Sequence, residues 1–214
     1  MEFYSERKFY SLLYHLVRAF MTVFGNAQAY GLENLPPGGF LIASNHASFI
    51  DPPLVGCVVP REIYYFARKT LAENALLSRV FPYCNVVLID RGGSGDLGAF
   101  RKVFSVLRQG HALVLFPEGT RSRDGKLGPA QGGAGLIACK TRVPVVPARL
   151  FGTNEVLGRG TALPRKAQLV VVFGKPMLPA EFDPGRNAPD RFREASRRIM
   201  KRIAELELPR ERKM

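Results

Sequence analysis

Short apolar runs that alternate with stretches of helical period constrain this chain more than any other feature. Residues 40–43, 62–67, 85–90, 112–116, 144–150 and 168–173 each read as a strand rich in Val, Ile, Leu, Phe or Tyr. Between them, residues 52–58, 72–80, 97–109 and 132–141 carry helical patterns, and Gly110 stops the third. Residues 27–32 suggest one further short strand. Strands separated by helices specify an α/β fold, here a single mixed, largely parallel sheet flanked by helices. In such sheets ligands bind beyond the carboxyl ends of the strands, so the residues that follow each run are where chemistry is expected.

A length of 214 residues suits one large domain with short appendages. The expected division is an amphipathic membrane-associating helix at 1–25, an α/β domain at 26–185 and a basic helix at 186–214. With 46% hydrophobic residues the chain can bury a core. Lys and Arg number 31 against 18 Asp and Glu, a net charge of +13, which implies polyanionic partners: nucleic acid, anionic lipid or phosphorylated substrates. Cys57, Cys84 and Cys139 have no paired spacing and read as buried free thiols in a reducing compartment. No motif calls for a metal ion. No apolar stretch approaches the ~18–20 residues of a membrane span. Ala27-Gln28-Ala29 mimics a signal-peptide cleavage site, but Arg18 cuts the preceding apolar region down to residues 19–24, so no leader is expected.

The two ends carry amphipathic helices. In the first, Phe9, Leu12, Leu13, Leu16, Val17, Phe20 and Phe24 form a wide apolar face opposite Ser11, His15, Arg18 and Thr22. Its length of about 24 Å is too short to cross ~30 Å of hydrocarbon. It can lie in the membrane interface or pack on the domain; the interface is the expectation carried forward. At the other end, Phe192, Ala195, Ile199, Ile203 and Leu206 make a stripe crowded by Arg197, Arg198, Lys201 and Arg202. That helix suits packing with a solvated charged face, or docking on anionic lipid.

The first chemistry-bearing stretch follows the strand at 40–43. His46 and Asp51 are five residues apart. On a continuous helix that spacing leaves two side chains about 140° apart, so they meet only if the loop between them doubles back. Asp51 followed by Pro52 reads as a helix start, with Asp as N-cap and Pro in the first turn. In the folded-back arrangement the carboxylate accepts the proton of one imidazole nitrogen and leaves the other as a base. The second stretch is Phe116-Pro117-Glu118-Gly119-Thr120-Arg121-Ser122. Gly119 permits a tight turn, Glu118 can accept from hydroxyls, Arg121 can grip a phosphate, and Thr120 and Ser122 add donors. Arg68 and Arg91 stand at the ends of two further strands and bring cations to the same rim.

These stretches, with Ile89-Asp90-Arg91 and Val143-Pro144-Val145-Val146-Pro147, stand in the order and spacing of the four glycerolipid acyltransferase blocks. Over residues 31–179 the chain resembles the bacterial-type 1-acyl-sn-glycerol-3-phosphate acyltransferases. The resemblance implies that His46 is the general base, held by Asp51, and that the acceptor hydroxyl attacks an acyl-CoA or acyl-carrier-protein thioester directly, with no acyl-enzyme. It implies the acceptor's phosphate and glycerol at Arg68, Arg91, Glu118, Gly119, Thr120 and Arg121, and the acyl side near Pro144 and Pro147. Arg68 departs from the family, where many members carry Lys at this place; the charge is kept and the geometry altered. The resemblance further implies lysophosphatidic acid as acceptor, no cofactor beyond the donor substrate, an anionic membrane surface as partner, and a peripheral or monotopic place on the cytoplasmic face of a bacterial inner membrane. Oxyanion donors are expected among the backbone N–H groups at the helix mouth by Asp51.

Other readings compete. Gly93-Ser94-Gly95-Asp96-Leu97-Gly98 spells a dinucleotide fingerprint, but Asp90 and Arg91 intervene after the strand and Asp96 would repel a pyrophosphate. No G-x-S-x-G elbow exists, and Ser48 reads as a loop hydrogen-bonder. A different acceptor, such as a lyso-ornithine lipid or glycerol 3-phosphate, fits the same motifs, and a non-catalytic anionic-lipid binder fits the charge. Aromatic residues are not interleaved with the basic clusters, so nucleic acid is not expected.

Overall fold

The computed structural model describes residues 8–90, 96–161 and 163–209. Seven strands form one sheet: β1 (Gln28–Tyr30), β2 (Phe40–Ser44), β3 (Ile63–Arg68), β4 (Val86–Ile89), β5 (Ala112–Leu115), β6 (Val145–Phe151) and β7 (Val170–Phe173). Their order is β1-β7-β6-β2-β5-β3-β4. Every neighbouring pair is parallel except β6 with β7. The mixed, largely parallel sheet expected from the alternation is therefore what forms. All five residues of β2 are buried, as a central strand covered on both faces requires.

Helices divide between the two faces. Because side chains alternate along a strand, Phe40 and Ile42 of β2 face one way and Leu41 and Ala43 the other. The first pair packs with Tyr14 and Met21 of α1 (Lys8–Gly25) and with Leu54 and Val55 of α2 (Asp51–Val58). The second packs with Val103 and Leu107 of α4 (Leu97–Arg108), Ile137 and Ala138 of α5 (Gly132–Thr141), and Ile199 and Ile203 of α8 (Arg191–Ala204). α5 and α8 cross closely at Gly135, where a Cβ would run into the Phe192 carbonyl, and Gly135 N–H donates to Ser196 Oγ at 2.8 Å. The packed reading of the basic tail thus describes α8.

The packed reading of the first helix describes part of it. Tyr10, Tyr14 and Met21 are buried against the domain. Leu12, Leu16 and Val23 remain 56%, 59% and 65% exposed and form a second, unpartnered apolar face. Among the described residues no helix is long and apolar enough to cross a membrane.

The expected helix at 72–80 is split into a 3-10 turn (Lys69–Glu73) and α3 (Ala75–Val80). Asn74 interrupts it by capping the second piece, accepting from Leu76 N and Leu77 N. Two short helices, α6 (Thr153–Leu157) and α7 (Pro179–Phe182), add to the expected set. Each spans too few turns to show a period; their local marks are the left-handed Gly152 before α6, and Pro179 in the first turn of α7 with Glu181 accepting from Leu178 N.

Candidate active site

Five parallel strands, β2 to β6, carry their carboxyl ends to one edge of the sheet. His46 follows β2, Arg68 ends β3 and Glu118 follows β5, so the loops that gather there are those picked out in the sequence. Arg91 lies outside the described residues, as do Gly93 and Gly95 of the dinucleotide-like run.

Beyond β2, Asn45 is buried and exchanges two hydrogen bonds with Leu150 of β6, its Nδ2 donating to the carbonyl (3.1 Å) and its Oδ1 accepting from the N–H (2.8 Å). This clamp fixes the chain where it leaves the sheet. The next residues fold back so that His46 Nδ1 lies 2.8 Å from Asp51 Oδ2. The same oxygen accepts from Ala47 N (2.6 Å) and Ser48 N (2.7 Å). Asp51 is fully buried, whereas the His46 side chain keeps 18% exposure. An oxygen that already receives two N–H groups is an acceptor, so Nδ1 carries the proton, and Nε2 has no partner among the described residues. Asp51 Oδ1 is buried with no partner among the described residues.

Asp51 is not the N-cap of α2. It occupies the first helical position after Ile50. Its carboxylate therefore serves the preceding loop and not its own helix. Most of the expected oxyanion donors at this mouth are correspondingly spent. His46 N donates to Glu118 Oε1, Ala47 N and Ser48 N to Asp51, Ile50 N to Ser48 Oγ and Asp51 N to the Ser48 carbonyl, while Pro52 and Pro53 have no N–H.

The loop after β5 braces His46 from the other side. The imidazole stacks on the Phe116 ring, centroids 4.1 Å apart at 19°. His46 N–H donates to Glu118 Oε1 (2.9 Å), and the His46 carbonyl accepts from Ser122 N (2.7 Å). Glu118 Oε2 accepts from Gly128 N at 3.0 Å. Glu118 is only 4% exposed, and both of its oxygens are engaged by backbone. Burial pushes its carboxyl above the ordinary range, and the two N–H donors oppose that rise. Gly119 adopts φ +65°, which a side chain would resist. Arg68 Nη2 donates to the Gly119 carbonyl at 2.7 Å. The Arg121 guanidinium lies 3.4 Å over the Phe49 ring. Its pKa is lowered by burial and then by the charge of Arg159, while Asp51 acts in the opposite sense.

Arg159 has no counterpart among the sequence expectations. It follows Gly158, which bridges to Ser48 inside the His46–Asp51 loop. Ser48 Oγ donates to the Leu157 carbonyl at 2.5 Å. Ser48 is thus a tie between loops, and it brings a cation from a segment with no recognisable motif.

These groups border a cavity of about 570 Å³ lined by His46, Phe116, Thr120, Arg121 and Arg68 at the strand edge. From there it runs over apolar side chains of α1, β3 and α3, among them Leu13, Val17, Tyr65, Leu77 and Val80. Pro144 and Pro147 are not brought to it. Pro147 is buried in β6, and Pro144 offers its carbonyl to Leu41 N at the start of that strand.

The acyltransferase family model matches residues 26–150. The 1-acyl-sn-glycerol-3-phosphate acyltransferase of Bacillus subtilis is 27% identical over 175 residues, covering 81% of this chain and 84% of that protein. A chloroplastic 1-acyl-sn-glycerol-3-phosphate acyltransferase of Brassica napus is 32% identical over 158 residues, but this chain spans only 45% of its length. The crystal structure of the 1-acyl-sn-glycerophosphate (LPA) acyltransferase of Thermotoga maritima superposes with a TM-score of 0.73 at 27% identity, covering 90% of this chain and 77% of that one.

Proposed function

We propose that this chain, which belongs to the acyltransferase family, moves a fatty acyl group from a thioester donor, acyl-CoA or acyl-carrier protein, to the 2-hydroxyl of lysophosphatidic acid, giving phosphatidic acid. The observation that carries the reading is the His46–Asp51 pair at the mouth of an apolar cavity of about 570 Å³, with arginines at its rim. The names of the relatives point to the same acceptor.

A glycerol hydroxyl is a weak nucleophile near neutral pH and needs a positioned base. His46 Nε2 takes the hydroxyl proton as the oxygen bonds to the thioester carbonyl carbon. Asp51 holds Nδ1–H and offsets the positive charge that forms on the ring. The tetrahedral intermediate collapses with cleavage of the C–S bond, and the departing thiolate takes the proton back from His46. No acyl-enzyme forms. Thr120 and Arg121 line the same cavity and supply donors for the oxyanion or the acceptor phosphate in place of the spent N–H groups at α2. Arg68 and Arg121 meet the phosphate, and the alkyl chain enters the apolar part of the cavity. The exposed stripe of Leu12, Leu16 and Val23 supports peripheral attachment, by which the enzyme reaches an acceptor held in a bilayer on the cytoplasmic side.

The test is acyl transfer from palmitoyl-CoA and oleoyl-CoA to lysophosphatidic acid in detergent, with wild type beside His46→Ala. Transfer by wild type that falls at least a thousandfold in the variant is the expected result. Equal transfer by both would remove His46 from catalysis. Transfer only to glycerol 3-phosphate or to a lyso-ornithine lipid would replace the acceptor.

A further inference from the structure

A second concavity, of about 660 Å³, lies between α8 and the loop 127–131. Arg193, Arg197 and Lys201 line it at intervals of four, one above the next on a single helical face. Arg197 pairs with Glu194 on its own helix. Among the described residues Arg193 and Lys201 make no ion pair, and no carboxylate lines the groove. Two cations without an ion pair, with Arg197 between them, beside a recess that no carboxylate lines among the described residues form a site for a polyanion.

Three observations narrow the occupant. α8 packs on the sheet face opposite α1, so a bilayer that takes up the exposed leucines of α1 leaves the groove in water. The recess has the size of a small-molecule cleft, whereas a stable protein partner needs about 800 Å² of surface on each side. The groove also adjoins the reaction centre: Gln131 lines both concavities, and Gly128 N–H is held by the same Glu118 carboxylate that accepts from His46 N–H.

We propose that this groove seats the phosphorylated nucleotide end of a coenzyme A thioester, with the pantetheine arm passing Gln131 to bring the thioester to His46. The proposal rests on the acyl-transfer reading and adds the identity of the donor and its place. Lipid acceptor and water-soluble donor then approach one imidazole from opposite faces of the sheet.

The experiment is steady-state transfer from palmitoyl-CoA by wild type and by Arg193→Gln/Lys201→Gln, with Arg101→Gln/Lys102→Gln on α4 as a control of equal charge. All four side chains are exposed, and thermal midpoints are compared to establish that each variant is folded. The groove variant is expected to raise KM for palmitoyl-CoA about tenfold, with kcat and KM for lysophosphatidic acid near wild type. With palmitoyl-pantetheine, which lacks the nucleotide, it should match wild type. Adenosine 3′,5′-bisphosphate should compete with palmitoyl-CoA in wild type and in the control, and much less in the groove variant. Calorimetric titration of free coenzyme A reads the groove without turnover. Binding that the variant loses, in a wild type that transfers to no acceptor, keeps the groove and sinks the acyl-transfer reading. Unchanged KM for palmitoyl-CoA in an active enzyme does the reverse. A loss seen only with an acyl-carrier-protein donor would reassign the groove to an acidic protein, and a loss seen only on anionic vesicles would make α8 a lipid dock; either overturns the proposal.

Discussion

Glu118→Gln separates two roles that the acceptor-binding block leaves entangled. If Glu118 contacts the glycerol, its loss raises KM for the acceptor. The structure shows it instead as a buried strut, Oε1 receiving His46 N–H and Oε2 receiving Gly128 N–H. Glutamine keeps the shape and one acceptor oxygen but sets an NH2 group against the other backbone N–H. A buried donor left unpaired costs about 1–3 kcal/mol, and the surviving bond drops from charge-assisted to neutral, about 1 kcal/mol more. Burial already raises the Glu118 pKa, so removing the charge recovers part of this. The net loss should be about 2 kcal/mol, a fall in thermal midpoint of roughly 4–8 °C for a chain of this size. The backbone of His46 moves with the lost bond, and displacement of a base by about 1 Å costs up to about a hundredfold in rate. Scanning calorimetry and steady-state kinetics should show a lower midpoint and kcat reduced about 10–100-fold, with KM for lysophosphatidic acid changed by less than about threefold. A midpoint within about 1 °C of wild type, with the whole defect in acceptor KM, would refute the strut and restore direct acceptor contact.

Asp51→Asn keeps an oxygen for Ala47 N and Ser48 N but removes the charge beside the imidazole; kcat should fall about 10²–10⁴-fold with the fold retained, and a rate within tenfold of wild type would deny the carboxylate its orienting role. The bidentate Arg191 guanidinium holds the Asp183 carboxyl well below the usual carboxylate range. Its depressed folded pKa means that the pair's contribution is full well above the ordinary value of 3.8 and is lost as pH falls below it. The midpoint of Asp183→Asn should therefore lie below wild type at pH 7 and converge with it in acid; a gap independent of pH would contradict this. Leu12→Asp/Leu16→Asp should weaken flotation with phospholipid vesicles at least tenfold while leaving transfer in detergent intact, and unchanged flotation would remove α1 as the membrane contact.

What could be read from sequence was local. The strands announce themselves because β2, β5 and most of β6 are buried on both faces and so read as near-continuous apolar runs, broken only by Ser44 and Arg149. The meeting of His46 with Asp51 follows from a spacing that a helix cannot reconcile. Long-range partners leave no such trace. Asn45 reaches Leu150 across 105 residues and Glu118 reaches His46 across 72, and nothing near either residue records the contact. Arg159 enters through the Ser48–Gly158 bridge, from a segment without a motif. In α1 the apolar period misled in a specific way. Tyr10, Tyr14 and Met21 stand outside the apolar face read from the period, yet they are the helix's buried side chains. The Tyr10 hydroxyl lies within hydrogen-bonding distance of the Ile63 carbonyl and N–H, and burial pushes its pKa up to about 12. Leu12 and Leu16 are left outside, while Leu13 is half-buried at the cavity.

That inversion bears on how such an enzyme can work. A helix that spent its leucines on the domain would have none left for lipid, and one that spent them all on lipid would not be held in register with the site. Using tyrosines inward, with the Tyr10 tip meeting Ile63 of β3 and the Tyr14 hydroxyl accepting from Arg18, frees the outward face without loosening the helix. The same helix lines the cavity through Leu13 and Val17, between its buried and exposed faces. A lipid chain leaving the bilayer along α1 would meet apolar surface continuously until it reached Phe116 and the imidazole stacked on it. On the other sheet face α8 buries Ala195, Ile199 and Ile203 and turns Arg193, Arg197 and Arg202 to water. On the proposed reading the amphiphile and the charged donor would not compete for one surface, and β2, fourth of seven strands, carries His46 at the edge where the two faces converge.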